Sequence, residues 1–212
     1  MDGNKRWAKK NKFSLKKGYF KGLEKIKFMI NECINHKIQY LTIFALSTDN
    51  LMRPTVGTIF EILINEYKKF FEELDIKNSV KVKVIGKRNN LPKEIINIIN
   101  EIENYDNSNI KLNLNIAFNY GTDEELLNAV KKIANLNNIN KKMIYDNLYL
   151  SNIPDPDLLI RTGGYKRLSN FILLNLSYTE LFFIETLWPD FSEDELLDIF
   201  KKFYKIQRNY GL

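Results

Sequence analysis

Three stretches of this 212-residue chain gather side chains that could hold phosphate. "PDLLIRTGGYKRLSNFILLN", Pro156 to Asn175, sets Arg161, Lys166, Arg167 and Ser169 around a Gly163-Gly164 turn between two apolar runs. "STDNLMRP" supplies Ser47, Asp49, Asn50 and Arg53, and the opening "MDGNKRWAKK" supplies Asp2, Asn4 and Arg6 at the head of a helical pattern. Guanidinium forks bind two oxygens at once, and glycine lets backbone N–H groups approach an anion. N–H groups near a helix start add a further anion site. Two such cradles suit two diphosphates or one nucleotide. A carboxylate such as Asp2 beside a phosphate makes sense with Mg²⁺ between them, since the two would otherwise repel. Neither a Walker A pattern nor G-x-G-x-x-G occurs, which argues against ATPase and dinucleotide readings. Taken singly, each Arg is equally well explained by a surface ion pair.

The elements that must position these groups alternate along the chain. "IQYLTIFAL" (Ile38–Leu46), "VKVKVIG" (Val80–Gly86) and "IKLNLNIAF" (Ile110–Phe118) read as strands, and "DLLI" and "NFILLN" as short ones. "GYFKGLEKIKFMINECIN" reads as a helix with Tyr19, Leu23, Ile26, Ile30 and Cys33 inward. "GTIFEILINEYKKFFEEL" (Gly57–Leu74) puts Phe60, Leu63, Ile64, Tyr67, Phe71 and Leu74 on one helical face. "LPKEIINIINEIENY" is helical with Pro92 in its first turn. "DEELLNAVKKIAN" is a helix opened by Thr122 and acids, and "SEDELLDIFKKFYKIQRNY" is one capped by Ser192 with Glu195 completing a capping box. This is an α/β pattern: a central, mostly parallel sheet with helices on both faces, in a single domain over 1–212. Ligands gather at the C-terminal ends of strands in such folds. The polar groups after the strands, "NYGT" (Asn119, Tyr120, Gly121) included, are therefore expected on one edge.

Composition sets the outer bounds. Apolar residues make up 44%, charged 27% and aromatic 13%, which is ordinary globular usage. The net charge is +6, and Met1 to Lys27 holds ten Lys or Arg against two acids. Such a balance suits phosphate-bearing ligands, nucleic acid or an anionic membrane face, and equally a solvated basic helix. The lone Cys33 can form no disulfide within one chain and fits a reducing cytosol. His36 is the only histidine, which argues against a His-based triad or a His-rich metal site. No signal peptide or apolar run of spanning length is present. The expected place is cytoplasmic, with peripheral contact at a membrane surface.

The set "MDGNKRWA", "FALSTDNLMRP", "LNIAFNYGT", "PDLLIRTGGYKRLSNFILLN", "YTELFF" and "LWPDF", in that order from Met1 to Phe191, resembles the cis-prenyltransferases of the undecaprenyl diphosphate synthase (isoprenyl transferase) family. The resemblance implies sequential condensation of isopentenyl diphosphate onto an allylic diphosphate such as farnesyl diphosphate. The product is a long-chain cis-polyprenyl diphosphate such as undecaprenyl diphosphate, the lipid carrier for cell-wall synthesis. It assigns Asp2 to Mg²⁺ and catalysis, and Gly3, Asn4, Lys5, Arg6 and Trp7 to the allylic diphosphate. Ser47, Asn50 and Arg53 would sit beside the reacting carbons, with Asn50 as proton acceptor or its relay. A neutral amide is a poor base, so a water or a diphosphate oxygen stays open as the acceptor. Arg161, Arg167 and Ser169 would grip isopentenyl diphosphate. Glu180 matches a second metal contact near a homodimer interface. Leu15, Tyr19, Thr48, Asp49, Leu51 and Leu168 complete the implied substrate contacts. The Phe60–Leu74 helix and the Leu112–Phe118 strand are candidate walls for the growing chain.

Departures from the family's pattern touch the same places. A strand expected ahead of M-D-G-N would lie before Met1, leaving a trimmed chain or Asp2 on a loose terminus. Leu15 stands where a basic residue is usual, with Lys16 beside it, and Tyr19 replaces a frequent His. Gly57 replaces a Glu, and Tyr165 and Lys166 replace acid and His positions. The rival readings are a non-catalytic partner subunit, which typically lacks the acid found here as Asp2, and nucleic-acid binding. The basic N-terminal helix turns its aromatics inward and no RNA or DNA module occurs, so no nucleic-acid partner is expected.

Overall fold

The computed structural model describes residues 1–73, 79–105 and 109–209. They divide into two compact units, Met1 with Gly3–Tyr120 and Asp2 with Gly121–Leu212. All the described strand pairs are parallel, so the α/β, parallel-sheet expectation holds.

The first unit is built on β1 (Tyr40–Ser47), β2 (Val80–Ile85) and β3 (Leu112–Tyr120), in spatial order β1-β3-β2. Its helices are α1 (Asn4–Lys10), α2 (Leu15–Asn35), α3 (Thr48–Leu51), α4 (Val56–Glu73) and α5 (Lys93–Glu103). Alternation makes the strands: Val80, Val82 and Val84 are buried while Lys81 and Lys83 are exposed. Those valines join Ile43, Leu46, Leu112, Leu114 and Phe118 in one core with Ile30 and Cys33 of α2, Phe70 of α4 and Ile95, Ile99 and Ile102 of α5. Each such burial contributes about 1.5–3 kcal/mol. On α4 the predicted face is rotated slightly. Phe60, Leu63 and Tyr67 pack on the core, but Ile64 is exposed, and Ile62 and Phe70 are buried instead. Leu74 and the side chain of Phe71 lie outside what is described. On α2, Tyr19 is half-buried. Burial, with the Glu32 charge beside it, pushes the Cys33 thiol up to about 12.

In the "NYGT" segment Asn119 acts as a clamp. Tyr120 is fully buried, edge-on to Phe44. Asn119, at φ 51°, donates its amide to the carbonyls of Lys87 and Asn89, and its own carbonyl accepts from the Lys87 N–H at 3.0 Å. Gly86 makes this approach possible: it holds φ 126°, and a Cβ there would strike the Phe118 carbonyl.

The second unit holds α6 (Thr122–Ile133), α7 (Lys141–Asp146), β4 (Leu158–Arg161), β5 (Glu180–Phe183) and α8 (Glu193–Phe203). The Ser192–Glu195 capping box opens α8 as its sequence predicts. The helix stops at Phe203, and the end of its predicted run, Tyr210, lies outside the described residues.

"NFILLN" is not a strand. Ser169, Asn170 and Ile172 have φ of 50°, 63° and 36°, and Leu173–Asn175 is a 3₁₀ turn. Tertiary hydrogen bonds override the apolar pattern. The Asn170 carbonyl accepts from Thr122 N–H and Oγ1, each at 3.0 Å, and the Asn170 amide donates to Asp123 Oδ1 at 2.6 Å. Leu173 N–H closes the loop on Thr122 Oγ1 at 2.9 Å. The partner of β4 is β5, from "YTELFF", with Leu158 opposite Glu180 and Arg161 opposite Phe183.

Gly86→Ala is expected to destabilise the chain by about 2–3 kcal/mol through the forbidden φ and the backbone clash. A lower urea-unfolding midpoint relative to the unaltered chain checks this.

Candidate active site

Asp2 belongs with the second unit, and it is not on a loose end. Its N–H donates to Thr162 Oγ1 at 2.9 Å, and that hydroxyl donates back to the Asp2 carbonyl at 3.0 Å. The same carbonyl accepts from Trp188 N–H at 3.0 Å. Its carboxylate Oδ2 accepts from Arg161 Nη2 at 3.1 Å. Thr162 and Trp188 are both buried, so the backbone of Asp2 is fixed independently of its side chain.

Arg161 is the centre of this cluster. Placed at the end of β4, its side chain is only 13% exposed. Nη1 donates to Ser169 Oγ at 2.9 Å and to the Arg167 carbonyl. The Gly163-Gly164 turn, with φ of 88° and 79°, bends the chain so that residues 161 and 167 meet. The N–H groups of these glycines do not point to an anion cradle as expected. They donate to the carbonyls of Thr186 and Ile184, each at 2.8 Å. The bend after β5 takes them, and a Cβ on Gly164 would stand 2.5 Å from Glu185 Oε2. The cations left at the surface of this loop are Lys166 and Arg167, both exposed. Arg167 lies over the Tyr165 ring with its Cζ 4.1 Å from the centroid. Leu168 is half-buried, and its carbonyl accepts from Phe171 N–H. Glu180 opens β5, half-buried, with its N–H on the Asp157 carbonyl at 3.0 Å.

The remaining expected residues lie in the first unit. Gly3, at φ 120°, caps α1, and its carbonyl accepts from Trp7 N–H at 2.8 Å. Lys5 is exposed, Arg6 half-buried, and Trp7 buried against the Phe13 ring. Asn4 is pressed onto α2. A Cβ at Gly18 would lie 2.6 Å from the Asn4 carbonyl oxygen, and one at Gly22 would strike Asn4 Oδ1. That Oδ1 is buried without a hydrogen-bond partner. Leu15 opens α2 behind the Ser14 cap and is half-buried, as is Tyr19. Lys16 pairs with Glu61 at 2.6 Å.

After β1, Ser47 Oγ caps the short α3 by accepting from Asn50 N–H at 3.1 Å. Thr48 and Asn50 are half-buried, and Asp49 and Arg53 are exposed. Leu51 packs against the core of the unit. Because β1 and β3 are parallel, this segment stands at the C-terminal edge of the sheet, where the pattern predicts it. Sequence reasoning missed Thr162 and Trp188 as the anchors of Asp2 and Tyr165 as the ring beneath Arg167. Thr162 sits inside "RTGG" and Trp188 inside "LWPDF". A hydroxyl next to the strand-end arginine was the available signal.

For Mg²⁺, the expected carboxylates are Asp2, in the cluster around Arg161, and Glu180, which stands opposite Leu158 and not opposite Arg161. Among the described residues, no group of three or more His, Cys, Asp or Glu could hold a metal ion. Mg²⁺ keeps several of its waters and takes one or two carboxylates plus substrate phosphates.

Comparison with known proteins agrees with the sequence pattern. Residues 1–211 match the Prenyltransf family, described as "Putative undecaprenyl diphosphate synthase". An isoprenyl transferase of Aquifex pyrophilus is 42% identical over 215 residues, covering 100% of this chain and 93% of that protein. One from Staphylococcus saprophyticus is 40% identical, covering 100% and 87%. Among solved structures, lavandulyl diphosphate synthase from Lavandula x intermedia, in complex with dimethylallyl diphosphate, has a TM-score of 0.91 at 29% identity. It covers 100% of this chain and 95% of its own. A "probable undecaprenyl diphosphate synthase" from Campylobacter jejuni has a TM-score of 0.79 at 31% identity, covering 91% and 92%.

Thr162→Val keeps the shape but removes both hydroxyl bonds to Asp2. Amide exchange at Asp2, followed by NMR, is expected to accelerate about tenfold or more. An unchanged rate would show that Trp188 alone holds this residue.

Proposed function

Because the chain belongs to the undecaprenyl diphosphate synthase family of prenyltransferases, we propose that it condenses isopentenyl diphosphate with an allylic diphosphate, farnesyl diphosphate first among them, to give a long-chain cis-polyprenyl diphosphate of the undecaprenyl type. The observation that carries this is the Asp2–Arg161–Ser169 constellation. A carboxylate stands 3.1 Å from the arginine that braces the loop carrying Arg167 and Ser169.

In each round the allylic C1–O bond breaks and diphosphate leaves. A bond forms from that carbon to C4 of isopentenyl diphosphate, and a proton leaves C2 as the new cis double bond closes. Negative charge grows on the leaving diphosphate, so preorganised cations give the main rate gain. Arg6, with Gly3, Asn4, Lys5 and Trp7, would hold the allylic diphosphate, and Arg167, Arg161 and Ser169 the isopentenyl one. Ser47, Asn50 and Arg53 would orient the reacting carbons, so that proximity replaces collision. Asn50 has no basic lone pair at neutral pH. It would position a water or a diphosphate oxygen as proton acceptor. Asp2 would hold Mg²⁺, which when bound neutralises diphosphate oxygens, and Glu180 would be a second contact near the homodimer interface. Phe60, Leu63 and Tyr67 of α4 offer apolar surface to the lengthening chain, and Leu15 and Tyr19 flank the allylic end. We further read the protein as a homodimer that works in the cytoplasm, hands its product to a membrane and so serves cell-wall synthesis. Among the described residues no helix is long and apolar enough to cross one. The anchored Asp2 favours a catalytic subunit over a non-catalytic partner.

Incubation with Mg²⁺, farnesyl diphosphate and labelled isopentenyl diphosphate is expected to yield long polyprenyl diphosphates. Asp2→Ala should abolish them with an unchanged circular dichroism spectrum. No incorporation by the folded chain with any short allylic diphosphate would overturn the reading. Arg167→Ala, which leaves the Asp2 ion pair in place, is expected to raise KM for isopentenyl diphosphate about tenfold or more while the allylic KM stays within about twofold. Equal losses on both substrates would sink the division into two cradles.

A further inference from the structure

On the Arg161–Ser169 loop, Tyr165 is an aromatic side chain that the proposed chemistry leaves unused. It lies 41% exposed between the glycine turn and Arg167. Two guanidiniums address its ring: Arg167 Cζ is 4.1 Å from the centroid and Arg161 Cζ is 6.0 Å. Both distances lie within reach of the attraction between a cation and the negative face of an aromatic ring. The two like charges would otherwise push apart. Arg161 is held besides by Asp2, Ser169 and the Arg167 carbonyl. The ring contact is the one described for the exposed guanidinium of Arg167.

We propose that Tyr165 is a positioning residue for the isopentenyl diphosphate cradle, gathering Arg167 beside Arg161 before the ligand arrives. The proposal rests on the reading of the loop given above and deepens it. A guanidinium attracted to a ring face keeps its N–H donors for oxygen ligands. A carboxylate at the same position would hold Arg167 more firmly. It would also lower the charge of the cradle by one unit and compete with the diphosphate for the same donors. A neutral ring orders the long Arg167 side chain without either penalty, and ordering before binding lowers the entropy lost on binding. The contact acts on capture of isopentenyl diphosphate, not on the bond-making step. Its removal therefore moves KM for that substrate and not kcat.

The test measures kcat and both KM values for Tyr165→Phe and Tyr165→Leu, each alone and combined with Arg167→Ala. Tyr165→Phe should stay within about twofold of the unaltered chain, since the ring remains. Tyr165→Leu should raise KM for isopentenyl diphosphate about two- to fivefold with kcat and the allylic KM unchanged. In the Arg167→Ala background, Tyr165→Leu should add nothing. The positioning role is wrong if Tyr165→Leu leaves KM unmoved, if kcat falls with it, or if the loss persists without Arg167. Absence of turnover by the unaltered chain would instead remove the functional reading. The ring contact is then judged by calorimetric titration with inorganic pyrophosphate. Weaker binding by Tyr165→Leu than by Tyr165→Phe supports it, and equal binding refutes it.

Discussion

The carboxylate of Asp2 meets the guanidinium of Arg161 at 3.1 Å, and the chemistry offered by the second unit is arranged around that contact. Neither group is deeply sealed: the Asp2 side chain is 34% exposed, so water screens the pair. What gives the contact its definition is the backbone beneath it. Thr162 and Trp188 fix the Asp2 peptide from the buried side, and Arg161 is braced by Ser169 and the Arg167 carbonyl. The two charges are thus held by different groups. Either side chain can exchange its partner for a ligand while the main chain on both sides stays in place.

The glycines of the loop are geometric devices. Their N–H groups are tied to Thr186 and Ile184, so what this loop offers an anion is side chains, unlike a P-loop, where backbone amides surround the phosphate. Arginine and hydroxyl groups on a rigid turn give directional contacts, and the turn is rigid because it is stitched to the run after β5. The same economy appears at Asn170, which pins the far end of the loop to the start of α6 through Thr122 and Asp123.

Much of this was legible in the residues. The Val-Lys alternation of β2 fixes its faces without any tertiary information, and the Ser192–Glu195 box announces α8. Motif order gave the family, which the full-length matches show. The sequence pattern misread "NFILLN" because its apolar run is a strand pattern on propensity. The hydrogen bonds that hold Ile172 at φ 36° come from residues about 50 positions away, Thr122 and Asp123, which no local window contains. The partners of Asn119 in "NYGT" were illegible for a similar reason. Its polar atoms look available until the Lys87–Asn89 carbonyls are brought to Asn119. At the site, residue types were readable and partners were not. Thr162 reads as one polar residue in a motif until Asp2 is found 160 positions away on its hydroxyl.

Cys33 is inside the first unit, 3% exposed, with its thiol pushed up to about 12. Near neutral pH almost none of it is thiolate, and a reagent in solution has little of it to touch. The natural chain is therefore a ready background for site-directed labelling. A cysteine introduced on the Arg161–Ser169 loop or on α3 would take a spin label or fluorophore selectively, without first removing a core side chain and leaving a void in its place.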